Sequence, residues 1–434
     1  MLQIIQNLNF TIMKKNNLPT PERGKVDVLM GLQWGDEGKG KIVDIVTPHY
    51  DVVARFGGGP NAGHSLEVNG QTVVLNQIPS GALNQNAKLL IGNGCAVDPI
   101  CVKRDLEKLS KAGIDVSNRL FFSERAKLIT PIHPLDDAWS EFKKGEGKIG
   151  STLRGITPLY VSHYSRKGLF VSDFGKSPNL VEELTKELYN KIESIKKERK
   201  DGEQFIHEHF KGQNISEVMS VWAGSFLFSV PKASIVGMDY VSTQAKVGER
   251  ILAEGAQAHY LDIEQGDYPY VTSSHTTSAG ACVGLNVRPQ LIKNVYGVIK
   301  AYATRVGNGP FDDEFTDEKL AEYFRKKGHE YGATTGRSRR IGWTNFDLVR
   351  RAIMANGVTH IFINKVDVLF NEKFKIIDSH GDHDFEGLDF KDNKPNIELE
   401  SFIELIEDCL VYSGSGTKLI GIGTGPSRDD VYYL

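Results

Sequence analysis

Apolar positions along the chain fall into short runs whose period changes from segment to segment. Val26-Asp27-Val28-Leu29-Met30-Gly31 is a β-branched apolar run; Gly35 to Lys41 then breaks the pattern, and Ile42-Val43-Asp44-Ile45-Val46 resumes it at helical spacing. The order predicted is strand, glycine-rich loop, helix. Further strands are predicted over 51–56, 72–75, 88–91, 119–122, 250–253, 360–364 and 419–422. Leu180, Val181, Leu184, Leu188, Ile192 and Ile195 recur at three- and four-residue steps and predict a helix, as do Leu291, Val295, Val298 and Ile299. Strands that alternate with helices along the whole length imply an α/β fold with a large, mostly parallel, doubly wound sheet, P-loop-like and carrying helical insertions. The basic run at 191–200 is read as the solvated face of its helix.

No repeat, low-complexity tract or linker-like stretch divides the chain, so residues 25–434 are expected to form one domain. Gln and Asn interrupt the apolar residues of 1–24 before a signal-peptide core can form. That segment is expected to be a disordered extension, with Met13 as an alternative start.

Composition narrows the function classes. The 434 residues are 40% hydrophobic and 25% charged, enough for a sizeable core. A net charge of −3 supplies no one-signed basic surface, so no nucleic-acid partner is expected, and any anionic ligand must be met by local positive groups. No apolar run approaches the length of a membrane span, so no membrane partner is expected either. Cys95, Cys101, Cys282 and Cys409 lie far apart without metal-ligand spacing, which predicts a reduced, cytoplasmic chain without structural zinc.

Four segments carry chemistry. Gly35-Asp36-Glu37-Gly38-Lys39-Gly40-Lys41 fits GxxxxGK, a loop whose backbone N–H groups cradle phosphate at a helix start. Ile42 stands where a hydroxyl would usually hold Mg²⁺, which leaves Asp36 as the candidate oxygen ligand; a glycine-rich turn with a solvated Asp is the alternative. Asn364-Lys365-Val366-Asp367 ends an apolar strand and matches NKxD, in which the Asp accepts from N1–H and the 2-amino group of guanine. The run 333–340, ATTGRSRR, places three arginine forks where a carboxylate or phosphate could sit, although a basic surface loop would look the same. Gly58-Gly59-Pro60-Asn61-Ala62-Gly63-His64 sets a titratable imidazole on a tight turn after a strand, as a general acid or as a structural histidine.

Together these segments resemble the adenylosuccinate synthetase family from about Val26 to the C-terminus. The resemblance is carried by QWGDEGKGK at 33–41, NAGH at 61–64, IPSG at 78–81, IGNG at 91–94 and EGAQ at 254–257. YPYVTSS at 268–274, TRVGNGPF at 304–311 and GATTGR at 332–337 continue the same order. It implies a carbon–nitrogen ligase that joins IMP to L-aspartate with GTP, through 6-phosphoryl-IMP, in the first committed step from IMP to AMP. By resemblance Asp36 is the base at N1 of IMP and a ligand of one Mg²⁺ with the Gly63 carbonyl; His64 is the acid at O6, and Lys39 and Lys41 steady phosphate oxygens.

The GTP site carries over to Gly35 through Lys41, Arg339, Lys365, Val366, Asp367, Gly423, Thr424 and Gly425. The IMP pocket carries over to Asp36, Glu37, Gly38, Lys39, Asn61, Ala62, Gly63, His64, Thr152, Gln257, Thr272 and Arg337, with Arg166 reaching in from the other subunit of a homodimer. Ala333, Thr334, Thr335, Gly336, Arg337, Ser338 and Arg339 would form the aspartate loop. The chain departs from the family at Leu153 and Thr157, where glycine is usual, at Pro60 in place of His, and at Gly423 in place of Ser. A relative acting on a 2-amino purine nucleotide such as dGMP is the alternative, though such relatives tend to lose the carboxylate at the position of Asp36; a GTPase switch is the alternative from another class.

Overall fold

Val26–Gly31 is buried at every position, as expected of a strand covered on both faces of a parallel sheet, and it forms β1. The computed structural model describes residues 18–68, 70–148, 150–332, 336–391, 394–411 and 416–434. The expectations for residues 1–17, and for Ala333, Thr334 and Thr335, therefore lie outside the described residues.

β1 sits inside a ten-stranded sheet. Its other members are β2 (Val52–Arg55), β3 (Lys88–Ile91), β4 (Leu120–Ser123), β5 (Ile235–Val236), β6 (Ile251–Ala258), β7 (Ile292–Lys300), β8 (His360–Asn364), β9 (Lys418–Gly423) and β10 (Val431–Tyr433). The spatial order is β10-β9-β8-β7-β1-β6-β2-β3-β4-β5. Every neighbouring pair is parallel except β9 with β10. Alternate residues of one strand feed different sides: Leu29 joins one apolar cluster, while Val28 and Met30 join the other. Helices cover both faces, so the mostly parallel, doubly wound α/β arrangement expected from the alternating pattern is the observed one.

One expectation of local structure is corrected. The apolar positions Val295, Val298 and Ile299 belong to β7, not to a helix, while Leu291 ends the short 3-10 turn Pro289–Leu291 just before it, and β7 pairs with β1 and β8. A strand buried on both faces loses its two-residue alternation, and an apolar run then also fits three- and four-residue steps; the β-branched and aromatic content of IKNVYGVIK is what decides for strand. The strand expected over 72–75 is present at Gln71–Leu75, where it forms a hairpin with His64–Val68 beside the large sheet. The helix expected from Leu180 onward is present at Leu180–Glu198 and buries Leu184, Leu188, Ile192 and Ile195.

In an open parallel sheet, ligands bind beyond the carboxyl ends of the strands. Here those ends lead into the 32–38 loop from β1, the 56–63 loop from β2, Gln257 at the end of β6, Lys365 after β8 and Thr424 after β9. The topology thereby gathers the sequence candidates along one rim.

Candidate active site

The helix α1 (Lys39–Val46) starts after Gly38, which is left-handed at φ 80° and provides no side-chain cap. The first-turn N–H groups are left to an incoming anion. Glu37 organises the loop from below: its fully buried carboxylate accepts from the N–H of Gln33 at 3.2 Å and of Gly35 at 2.8 Å and pairs with Lys39 Nζ at 2.7 Å. What Glu37 leaves for a ligand is its backbone. Asp36 is held left-handed at φ 61°, an uncommon conformation for a residue with a Cβ. Gln257, Lys365 and Arg166 share it at φ 57°, 67° and 62°, so four candidate site residues store backbone strain that ordinary loops avoid.

His64 opens the hairpin and packs against α1, where a Cβ on Gly40 would lie 3.0 Å from its own Cβ. Its Nδ1 is 2.6 Å from Glu254 Oε1 and 2.9 Å from Ser80 Oγ. Ser80 in turn gives its N–H and hydroxyl to Glu254, at 2.8 and 2.6 Å. Burial pushes the imidazole below its usual pKa, with Glu254 opposing that shift. Burial also pushes the Glu254 carboxyl up, but His64 and Arg55 outweigh it and leave Glu254 below its usual value. With Nδ1 committed, Nε2 is the ring nitrogen left for proton transfer.

At the base end, Asn364 Nδ2 donates to the carbonyls of Glu37 at 2.7 Å and Gly38 at 3.3 Å, which fastens the NKxD strand end to the phosphate loop. Asn364 Oδ1 is buried without a donor, and a Cβ at Gly423 would lie 2.5 Å from it, so glycine there gives Asn364 its room. Lys365 donates to the Gly328 carbonyl at 2.9 Å, and Val366 is fully buried. Burial raises the Asp367 carboxyl, partly offset by Lys365 and Lys41. Lys41 turns away from the phosphate loop: its Nζ donates to the carbonyls of Gly425 at 2.6 Å and Asp430 at 2.8 Å, and burial lowers it to about 8. It closes the C-terminal loop, in which Thr424 N also donates to Asp430 O at 2.8 Å.

Asn61 and Thr272, 211 positions apart, meet at 3.4 Å, and Asn61 also accepts from Gly59 N. Ala62 gives its carbonyl to Asn76 at 2.6 Å, and Gly63 precedes His64 directly. Gln257 Oε1 is buried without a donor beside Gly58, an acceptor awaiting a partner. Arg337 donates to the Gly150 carbonyl at 3.1 Å, joining the arginine loop to the segment that carries Thr152. In that segment Leu153 adopts a left-handed φ of 58°, a region that favours glycine, and is 44% exposed. Thr157 spends its hydroxyl on Ser273 at 2.8 Å. Gly336 closes a turn onto the Gly332 carbonyl, Ser338 bridges to Tyr331, and Arg166 is exposed just past the helix Ile156–Tyr164.

Arg339 ties this loop to Asp36. Its Nε is 2.8 Å from Asp36 Oδ2, within ion-pair range but without hydrogen-bond alignment, and its Nη1 donates to Glu330 at 2.5 Å. Glu330 also receives Lys300 Nζ at 2.8 Å and the Tyr302 hydroxyl at 2.6 Å. Burial pushes Glu330 up, yet Lys300 and Arg339 hold it down at about 2, and burial lowers Lys300 to about 8. Glu254, Ser80, Glu330 and Lys300 were missed as site residues. Glu254 stands inside the quoted EGAQ motif and Glu330 two residues before GATTGR, and adjacency to a motif was the signal available.

Mg²⁺ takes hard oxygens from one or two carboxylates and completes its shell with water and phosphate. The Asp36 carboxylate with a backbone carbonyl such as that of Gly63 fits this donor chemistry. Among the described residues, no group of three or more His, Cys, Asp or Glu could hold a metal ion.

A phosphate loop at the rim of a parallel sheet, with a strand end suited to reading a base, defines a P-loop-like nucleotide-dependent enzyme. The family model described as adenylosuccinate synthetase matches residues 28–384. Curated relatives named adenylosuccinate synthetase include one from Parabacteroides distasonis, 44% identical over 80% of this chain and 78% of its own. Another from Porphyromonas gingivalis is 46% identical over the same shares. The solved structure of fully ligated adenylosuccinate synthetase from Plasmodium falciparum superposes with TM-score 0.79 at 30% identity, covering 94% of this chain and all of that one. Cyanophage S-2L succinoaminodeoxyadenylate synthetase, bound to dGMP and dATP, is alike in fold alone, at TM-score 0.61 and 19% identity. The chain belongs to the adenylosuccinate synthetase family.

Proposed function

We propose that the chain condenses IMP with L-aspartate at the expense of GTP, giving adenylosuccinate, GDP and phosphate. The observation that carries this reading is the convergence of three groups on one phosphate loop: the Asp36 carboxylate, the His64–Glu254 pair, and Asp367 at a strand end fastened to that loop by Asn364. In the first step Asp36 takes the N1 proton of IMP, O6 attacks the γ-phosphorus, and the bond to the β-phosphate oxygen breaks to release GDP. His64 hydrogen-bonds the charge that develops near O6, and Lys39 and the first turn of α1 steady phosphate oxygens. In the second step the aspartate amine attacks C6, phosphate departs, and the amine gives up a proton.

Asp36 and the Gly63 carbonyl would hold Mg²⁺, whose chemistry is neutralisation of phosphate charge. Asn61, Thr272 and Gln257 suit the nucleotide, and Arg337 and Arg339 suit the carboxylates of aspartate. The chain works as a cytoplasmic homodimer in which Arg166 enters the partner's site. Retention of Asp36, which meets N1–H, favours IMP over a 2-amino purine nucleotide. The test supplies purified protein with GTP, Mg²⁺, L-aspartate and either IMP or dGMP, and identifies the product by mass. Adenylosuccinate from IMP supports the reading; product from dGMP alone, or from neither, refutes it.

A further inference from the structure

Among the described residues the Arg339 guanidinium links the phosphate loop to the arginine loop, and two carboxylates of different character share it. Glu330 is fully buried and grips Nη1, while Asp36, 29% exposed, lies against Nε without hydrogen-bond alignment. Behind Glu330 stand Lys300, 1% exposed, and the Tyr302 hydroxyl, and Lys300 is itself held by Thr304 Oγ1 at 2.8 Å. The backbones of residues 330 and 339 are also joined, Arg339 N donating to Glu330 O at 3.0 Å. One side of the guanidinium is thus fixed to the core, and the other faces a partly exposed carboxylate.

We infer that Glu330, backed by Lys300, is a positioning residue that presents the Arg339 guanidinium to an anionic substrate group, and that Asp36 occupies that guanidinium only until the substrate arrives. The inference rests on the ligase reading of the site. It accounts for a buried carboxylate with two cationic partners, a costly arrangement whose geometry must be kept by further hydrogen bonds. It also gives binding a consequence: an anion that displaces Asp36 from Arg339 releases that carboxylate for its own role. The anion is a phosphate of GTP or a carboxylate of aspartate, both suited to an arginine fork.

The test is a double-mutant cycle on the full chain with E330Q, R339A and the combined variant. Calorimetric titration reads GTP, and steady-state kinetics with IMP and GTP saturating read L-aspartate. E330Q is expected to weaken one of the two by at least tenfold, and which of them responds identifies the anion. KM for IMP is expected to stay within threefold, and E330Q should add less than twofold in the R339A background. K300M/E330Q removes both charges of the buried pair and serves if E330Q alone does not fold. Equal effects of E330Q with and without Arg339, or no effect on either ligand, overturn the positioning role. Wild-type protein that makes no adenylosuccinate refutes the ligase reading instead, and the GTP titrations then still decide whether Glu330 acts through Arg339.

Discussion

Replacing Glu254 by glutamine tests the proton-transfer pair with little change of shape. The amide keeps an oxygen for the Ser80 N–H but loses the charge that faces His64 Nδ1 at 2.6 Å. A hydrogen bond to a charged group contributes about 1.5–3 kcal/mol, and its loss from the transition state lowers kcat by roughly 10- to 150-fold. KM for IMP should stay within about threefold, because Glu254 is fully buried and faces His64 and Ser80 rather than solvent. The pH profile moves as well. Burial depresses the His64 pKa and Glu254 opposes that depression, so removing the charge lowers it further. If protonated His64 is the active acid, the descending limb of kcat against pH shifts to lower pH in the variant. The assay is kcat and KM for IMP between pH 5 and 9, with thermal unfolding to confirm the fold. A kcat within threefold of wild type together with an unmoved limb would refute the pairing of Glu254 with a catalytic imidazole.

Leu153 stores strain at φ 58°, where a side chain costs about 1–2 kcal/mol relative to glycine. Leu153→Gly should therefore exceed Leu153→Ala in denaturant stability by about 1 kcal/mol; equal midpoints mean the loop relaxes freely. Asp367→Asn should lower kcat/KM for GTP at least about tenfold and admit XTP, whereas an unchanged preference for GTP over ATP and XTP means Asp367 does not read the base. Arg166→Leu and Asp36→Asn, each inactive, should regain activity when mixed, since a heterodimer holds one site with both residues intact; subunit exchange without recovery removes Arg166 from the shared site.

What the sequence could disclose depended on the range of each signal. Strands such as Lys88–Ile91 and His360–Asn364 are legible because burial on both faces writes them as apolar, β-branched runs between turns. The same double burial disguised Ile292–Lys300 as a helix. Ile235–Val236 and Val431–Tyr433 are too short to show any period. In the site, the phosphate loop and NKxD could be read because each works within a few consecutive residues. Glu254 reaches His64 across 190 positions and Lys300 reaches Glu330 across 30, and a buried carboxylate carries no local mark of the partner that folding will bring to it. Leu153 shows the reverse case, in which a leucine occupies a backbone conformation that its side chain does not announce.

The two bonds from Asn364 to the carbonyls of residues 37 and 38 act as a caliper. On the proposed reading they set the span between the pocket for the base and the cradle for the phosphates, so that a nucleotide would be measured along its length as well as recognised at its ends. Gly38 belongs to the same gauge, since a Cβ there would lie 2.7 Å from Asn364 Nδ2 and force the jaws apart. Selection for a new base at this rim therefore cannot leave phosphate positioning untouched, and a substitution at 364 should be felt at the γ-phosphate before it is felt in the choice of purine.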